Sequence, residues 1–163
     1  MGTIKEFEKL QVWRSARILN NLVYGITKQP PFLKDFALRD QIRKASISVM
    51  SNIAEGLDAG YDGEFIRFLS YAFRSVAEIQ SQLYTALDET YIDQDTFQKI
   101  HDQGADVRRQ IRGLITYLSN NKRPSLSIRE ERFSYIAGEG DQNIDGFDIP
   151  PQFIASDLLL PIN

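Results

Sequence analysis

Few side chains in this sequence have a type and spacing that would support chemistry. Cysteine is absent, which excludes disulfides, thiolate metal sites and a cysteine nucleophile. A single histidine, His101, excludes any centre built on two imidazoles of one chain, including the paired Glu-x-x-His sites of di-metal bundles. His101 stands between Ile100 and Asp102 with no nucleophile motif nearby, and reads as a surface or boundary residue. No Gly-x-Ser-x-Gly, phosphate loop or dinucleotide fingerprint occurs. Asp141-Gln-Asn143-Ile-Asp145-Gly146 matches the first half of a calcium loop, but the closing glutamate is replaced by Gln152, and Pro150-Pro151 blocks the exit helix. That stretch reads as an acidic turn. The chain is expected to be no enzyme and to need no cofactor or metal.

Two polar groupings remain. Asn52 and Glu55 lie in Ser51-Asn-Ile-Ala-Glu-Gly56, and Ser75 and Glu78 flank an apolar seam further on. Meeting across a bundle, these four would fix helix register, as buried polar groups sometimes do. The alternative is a Glu55–Glu78 carboxylate pair acting on a ligand or metal. Basic residues cluster at Arg39, Arg43 and Lys44, at Arg108, Arg109 and Arg112, and at Lys122-Arg123. Arg108 and Arg112, one turn apart, share a helix face. Repeated around an oligomer, such a patch becomes a multivalent site for RNA or DNA phosphates. The alternative is solvated arginines paired with Asp102, Asp106 or Glu89.

The elements that must hold these residues are helices. The chain has 163 residues, 42% hydrophobic and 25% charged, which is ordinary globular composition and about one folding unit. Core-facing positions recur in steps of three and four: Val12, Ala16, Leu19, Val23 and Ile26; Leu38, Ile42, Ala45, Val49 and Ile53; Phe65, Leu69, Ala72, Val76, Ile79, Leu83 and Ala86; Phe97, Ile100, Gly104, Val107, Ile111, Leu114 and Leu118. Pro30-Pro31 ends the first helix, Gly56 is the expected stop of the second, and Asp62 and Asp93 are the expected N-caps of the third and fourth. No strand is expected in residues 1–123. Short connections predict an all-α, antiparallel up-down-up-down four-helix bundle over 1–123, with an irregular acidic tail over 124–163.

Charge divides at the same point. Residues 1–123 carry 17 basic against 15 acidic side chains, and residues 124–163 carry 2 against 7, for a whole-chain net charge of −3. The tail's Phe147, Phe153, Ile154, Leu158, Leu159 and Leu160 are too apolar for a simple flexible linker. They predict docking on the bundle, on a neighbouring subunit or on a separate protein. Within the second helix, Ile47, Met50, Ala54 and Leu57 form a second apolar face, which predicts homo-oligomerisation. No apolar run is long enough for a membrane helix, and the N-terminus lacks a signal-peptide stretch, so a cytoplasmic protein with no membrane partner is expected.

Phe7-Glu-Lys-Leu-Gln-Val-Trp13, Asp40-Gln-Ile-Arg-Lys-Ala45, Ser48-Val-Met-Ser-Asn-Ile-Ala-Glu-Gly56, Glu64-Phe-Ile-Arg-Phe-Leu69, Ser75-Val-Ala-Glu78, Gln82-Leu-Tyr-Thr-Ala-Leu-Asp88 and Gly113-Leu-Ile-Thr-Tyr-Leu118 occur in that order. Together they resemble the bacterial four-helix-bundle proteins encoded in intervening sequences of large-subunit ribosomal RNA genes. The resemblance covers about residues 4–120. It implies a ring, commonly a pentamer, without enzyme activity. Accessory proteins of diversity-generating reverse transcriptases are related, and the basic surface of those rings contacts nucleic acid or the polymerase. The family usually has glycine before the serine of its helix-three motif, whereas here Arg74 precedes Ser75. The acidic tail lies outside the shared pattern. The expected function is a non-catalytic accessory subunit of an RNA or reverse-transcriptase complex. The alternative is an oligomeric adaptor that presents its tail to a partner protein.

Overall fold

A computed structural model describes residues 3–121 and 147–156. Four helices carry the fold: α1 (Gln11–Thr27), α2 (Phe36–Asp58), α3 (Asp62–Asp88) and α4 (Gln94–Asn120). Each packs on its sequence neighbours, and α1 closes the ring against α4. Cross-helix pairs show that neighbours run antiparallel. Ser46 and Arg43 meet Asn20 and Thr27, Ser48 and Gly56 meet Ser75 and Phe65, and Gln80 and Val76 meet His101 and Gly104. The all-α up-down-up-down bundle is therefore the observed architecture.

The expected stripes form the core. Val12, Leu19 and Val23 of α1, Ile42, Val49 and Ile53 of α2, and the full α3 and α4 series are buried. Burying each such side chain contributes on the order of 1.5–3 kcal/mol. Asp93 caps α4 as expected, its Oδ1 accepting from the Thr96 N–H at 2.8 Å, and Asp35 does the same for α2 through the Leu38 N–H at 3.0 Å. The third helix begins differently. Tyr61 holds the N-cap position, and Asp62 and Glu64 lie in the first turn, where negative charge suits the helix dipole.

Gly56 is not the stop of α2, which runs on to Asp58. A Cβ there would lie 2.8 Å from both Phe65 Cδ2 and Phe68 Cβ, so the glycine admits α3 at the tight α2–α3 turn. The left-handed residue lies further on, at Gly60, with φ 81°.

One pairing departs from the expectation of no strand. β1 (Thr3–Ile4) pairs antiparallel with β2 (Phe147–Asp148), with Thr3 opposite Asp148 and Ile4 opposite Phe147. A bridge between Leu10 and Ile154 and a hydrogen bond from Ala155 N to Lys9 O at 2.8 Å continue the contact. Ile149 is fully buried in the same core as Ile4 and Leu10, so residues 147–156 close the end of the bundle where α1 begins. Two residues per strand are too few to show the alternation by which strands are read.

Candidate nucleic-acid interface

The six basic residues expected to meet phosphates divide into unlike environments. Arg43 donates from Nε to Thr27 Oγ1 at 2.7 Å and from Nη2 to Thr27 O at 3.0 Å, with its guanidinium 4.8 Å from the Tyr24 ring centroid. It ties the end of α1 to α2. Arg39 pairs with Asp40 at 2.7 Å, donates to Leu33 O and lies over Phe36. That hydrogen bond holds Asp40 below its ordinary carboxylate pKa and raises Arg39 above its ordinary value. Lys44 is exposed, but one residue after Arg43 it is turned about 100° away. These three do not make one patch.

The α4 arginines are arranged differently. Arg108 lies 4.2 Å and Arg112 5.5 Å from the Phe73 ring centroid, so both cross from α4 onto α3. Arg108 Nη1 donates to Gln80 Oε1 at 3.1 Å, and Gln80 Nε2 donates to His101 O at 3.1 Å, which fixes the guanidinium in place. Arg108 Nε is buried and unpartnered. Arg109 turns away and pairs with Asp106 at 2.8 Å. Between α3 and α4 runs a surface groove of about 330 Å³ lined by Ser70, Phe73, Arg74, Arg112 and Ile115. Arg74 and Arg112 form no ion pair with any described residue. Glu78, the carboxylate one turn beyond Arg74, instead accepts from Gln82 Nε2 at 3.1 Å. The groove therefore presents the guanidinium groups of Arg74 and Arg112 beside Phe73 and Ile115, both free to meet an anion, with Arg108 stacked on the same Phe73.

Arg74 was not among the expected phosphate ligands. Periodicity shows which way a residue points about its own helix, but not which residue of the next helix lies level with it. Arg74 is exposed and leaves the Ser48–Ser75 contact intact, with Oγ···Oγ 2.9 Å.

The four polar residues expected to set register meet only in part. Asn52 Nδ2 donates to Ser48 O at 2.7 Å and to Ser48 Oγ at 3.0 Å, and Ser48 joins it to Ser75. Glu55 and Glu78 are exposed, not buried. Antiparallel packing carries them to opposite sides of the Ser48–Ser75 level, roughly 15 Å apart along the helices, so they form no carboxylate pair. Among the described residues no group of His, Asp or Glu could hold a metal.

Of the second apolar face on α2, Ile47 is 46% exposed, and Met50 and Ala54 are half-buried. Leu57 is only 6% exposed and belongs to the bundle's own core rather than to an oligomer surface. The reason is rotation. Ten residues at about 100° each fall short of whole turns by about 80°, which brings Leu57 round to the seam. Phe36, next to this face, is 64% exposed. In the tail, Phe153 packs on Tyr117 at 5.8 Å and against Gly113, and Ile154 is half-buried. Phe147 enters the two-stranded pairing through its backbone. Leu158, Leu159 and Leu160, the calcium-loop-like 141–146 stretch and Lys122-Arg123 lie outside the described residues.

Fold and groove together define a four-helix-bundle protein with an arginine-lined face. The profile of the 23S rRNA-intervening sequence protein family matches residues 8–113, and the chain belongs to that family. The bundle is also similar to the crystal structure of a protein of unknown function from the S23 ribosomal protein family of Bacteroides thetaiotaomicron. Identity is 21% and the TM-score 0.56, with 64% of this chain and 97% of that one covered. This likeness concerns the fold. Among curated proteins no sequence matches. No described helix is long and apolar enough to cross a membrane.

Proposed function

We propose that the protein is a non-catalytic, ring-forming accessory subunit that binds nucleic acid in an RNA or reverse-transcriptase complex in the cytoplasm. The observation that carries this reading is the pairing of Arg74 and Arg112 in the α3–α4 groove, neither with an ion pair, beside Arg108 stacked on Phe73. Neutralising phosphates supplies most non-specific affinity for nucleic acid, and arginine does so with a planar, multi-donor group. One subunit offers few such contacts and carries a net charge of −3, so useful affinity requires several grooves on one particle. Exposed Ile47 and Phe36 support self-association, and the pentamer is the ring suggested by the family resemblance.

A filter-binding titration of RNA and DNA at several salt concentrations tests this. Affinity that falls as salt rises is expected, and no salt-dependent binding to either polymer would refute the proposal. The adaptor alternative finds less support. Ile149, Phe153 and Ile154 are already engaged with their own bundle and leave less apolar surface to present to a partner.

A further inference from the structure

We propose that the α3–α4 seam takes a single strand of nucleic acid, with bases on an aromatic platform at Tyr84 and phosphates on the arginines of the groove further along. This rests on the nucleic-acid reading above and specifies the ligand of the same face. Tyr84 is 54% exposed although its ring meets two rings of α4, Phe97 at 4.9 Å and His101 at 6.2 Å. His101 is itself stacked on Phe97 at 5.4 Å with an interplanar angle of 22°. An exposed aromatic ring fixed by its neighbours is a stacking surface that loses little freedom on binding.

The platform lies outside that groove but on the same α3–α4 seam, where Tyr84 meets Phe97 and His101 of α4 and, further along, Phe73 meets Arg108 and Arg112. On α3, Tyr84 stands eleven residues beyond Phe73, about 16 Å along the axis. That length holds four to five stacked nucleotides at about 3.4 Å each. On α4, His101 and Arg108 are seven residues apart, and small Ala77, Ser81 and Ala105 lie between the two ends. Glu78 is drawn to the α2 side by Gln82, and Asp106 to Arg109, so neither carboxylate is committed to this groove. A duplex keeps its bases stacked inside and offers nothing to Tyr84. A single strand offers both bases and phosphates.

Fluorescence anisotropy on the full chain tests the assignment, with oligothymidine, oligouridine and a DNA duplex of matched length as ligands. Tyr84→Ala is expected to weaken both single strands about tenfold and leave the duplex unchanged, and Tyr84→Phe is expected to retain wild-type affinity. Helical circular dichroism checks that each variant is folded. If Tyr84→Ala leaves single-strand binding intact while Arg74→Glu/Arg112→Glu weakens it, the stacking site is wrong and the nucleic-acid reading stands. If Tyr84→Ala weakens duplex and single strand alike, the single-strand assignment is equally overturned. No binding of any of the three ligands would sink both.

Discussion

Arginine has two occupations in this molecule. Arg43 commits two hydrogen bonds to the end of α1, both to buried Thr27, and covers Tyr24. Arg43→Ala should destabilise the fold by about 1–3 kcal/mol in urea denaturation, since hydrogen bonds made by a charged group are lost at a part-buried site. Arg74 and Arg112 have no such internal duty, and their removal should leave the urea midpoint nearly unchanged. Gly56 shows the opposite constraint. Gly56→Ala gains helix propensity of roughly 1 kcal/mol, yet its Cβ meets Phe65 and Phe68 at 2.8 Å, one of them at a Cβ atom. Overpacking of about 1–3 kcal/mol should win, and thermal melting should show a lower midpoint.

Two groups give stability a defined pH dependence. Hydrogen bonds to Thr96 hold Asp93 below its ordinary 3.8, so its contribution is present above that value and is lost as pH falls through the lower folded value. Desolvation, followed by the hydrogen bond to Asp35, raises the Tyr91 phenol above its ordinary 10.0, so its contribution is lost as pH rises through the higher folded value. Asp93→Asn should flatten the acid limb of a stability–pH profile, and Tyr91→Phe the alkaline limb.

Among the elements, helices were readable because their period repeats over many residues. Every position of the α3 stripe from Phe65 to Ala86 is buried, and α4 repeats this from Phe97 to Leu118. What periodicity lacks is the offset between helices. Nothing local says that Arg74 lies level with Arg112, or that Ser48 lies level with Ser75. Gly56 was misread because glycine marks both a helix end and a close approach, and only the position of Phe65 and Phe68 distinguishes the two. The β1–β2 pairing joins residues more than 140 positions apart, beyond the reach of any local pattern. That closure is nonetheless substantial. Ile149→Ala should cost about 2–5 kcal/mol, because a fully buried side chain of the core is truncated. Chemical denaturation checks it, and an unchanged midpoint would mean that the segment contributes nothing to the core.

Seen whole, the protein is one closed bundle with an arginine groove on the α3–α4 side and exposed Ile47 and Phe36 on the α2 surface. The two features cooperate only if copies assemble, because one groove supplies too few phosphate contacts. Light scattering should give a mass several times the 18.7 kDa chain, and Ile47→Glu should reduce it toward a single copy. A monomeric wild-type protein at high concentration would remove the multivalency on which affinity depends. The groove itself is tested most directly by paired charge reversal. Arg74→Glu/Arg112→Glu is compared with Lys28→Glu/Lys99→Glu, which carries the same change in net charge on exposed lysines elsewhere. Loss of binding to a single-stranded oligonucleotide and a shallower salt dependence are expected from the first pair alone. Equal loss from both pairs, or none from the groove pair, would contradict the assignment.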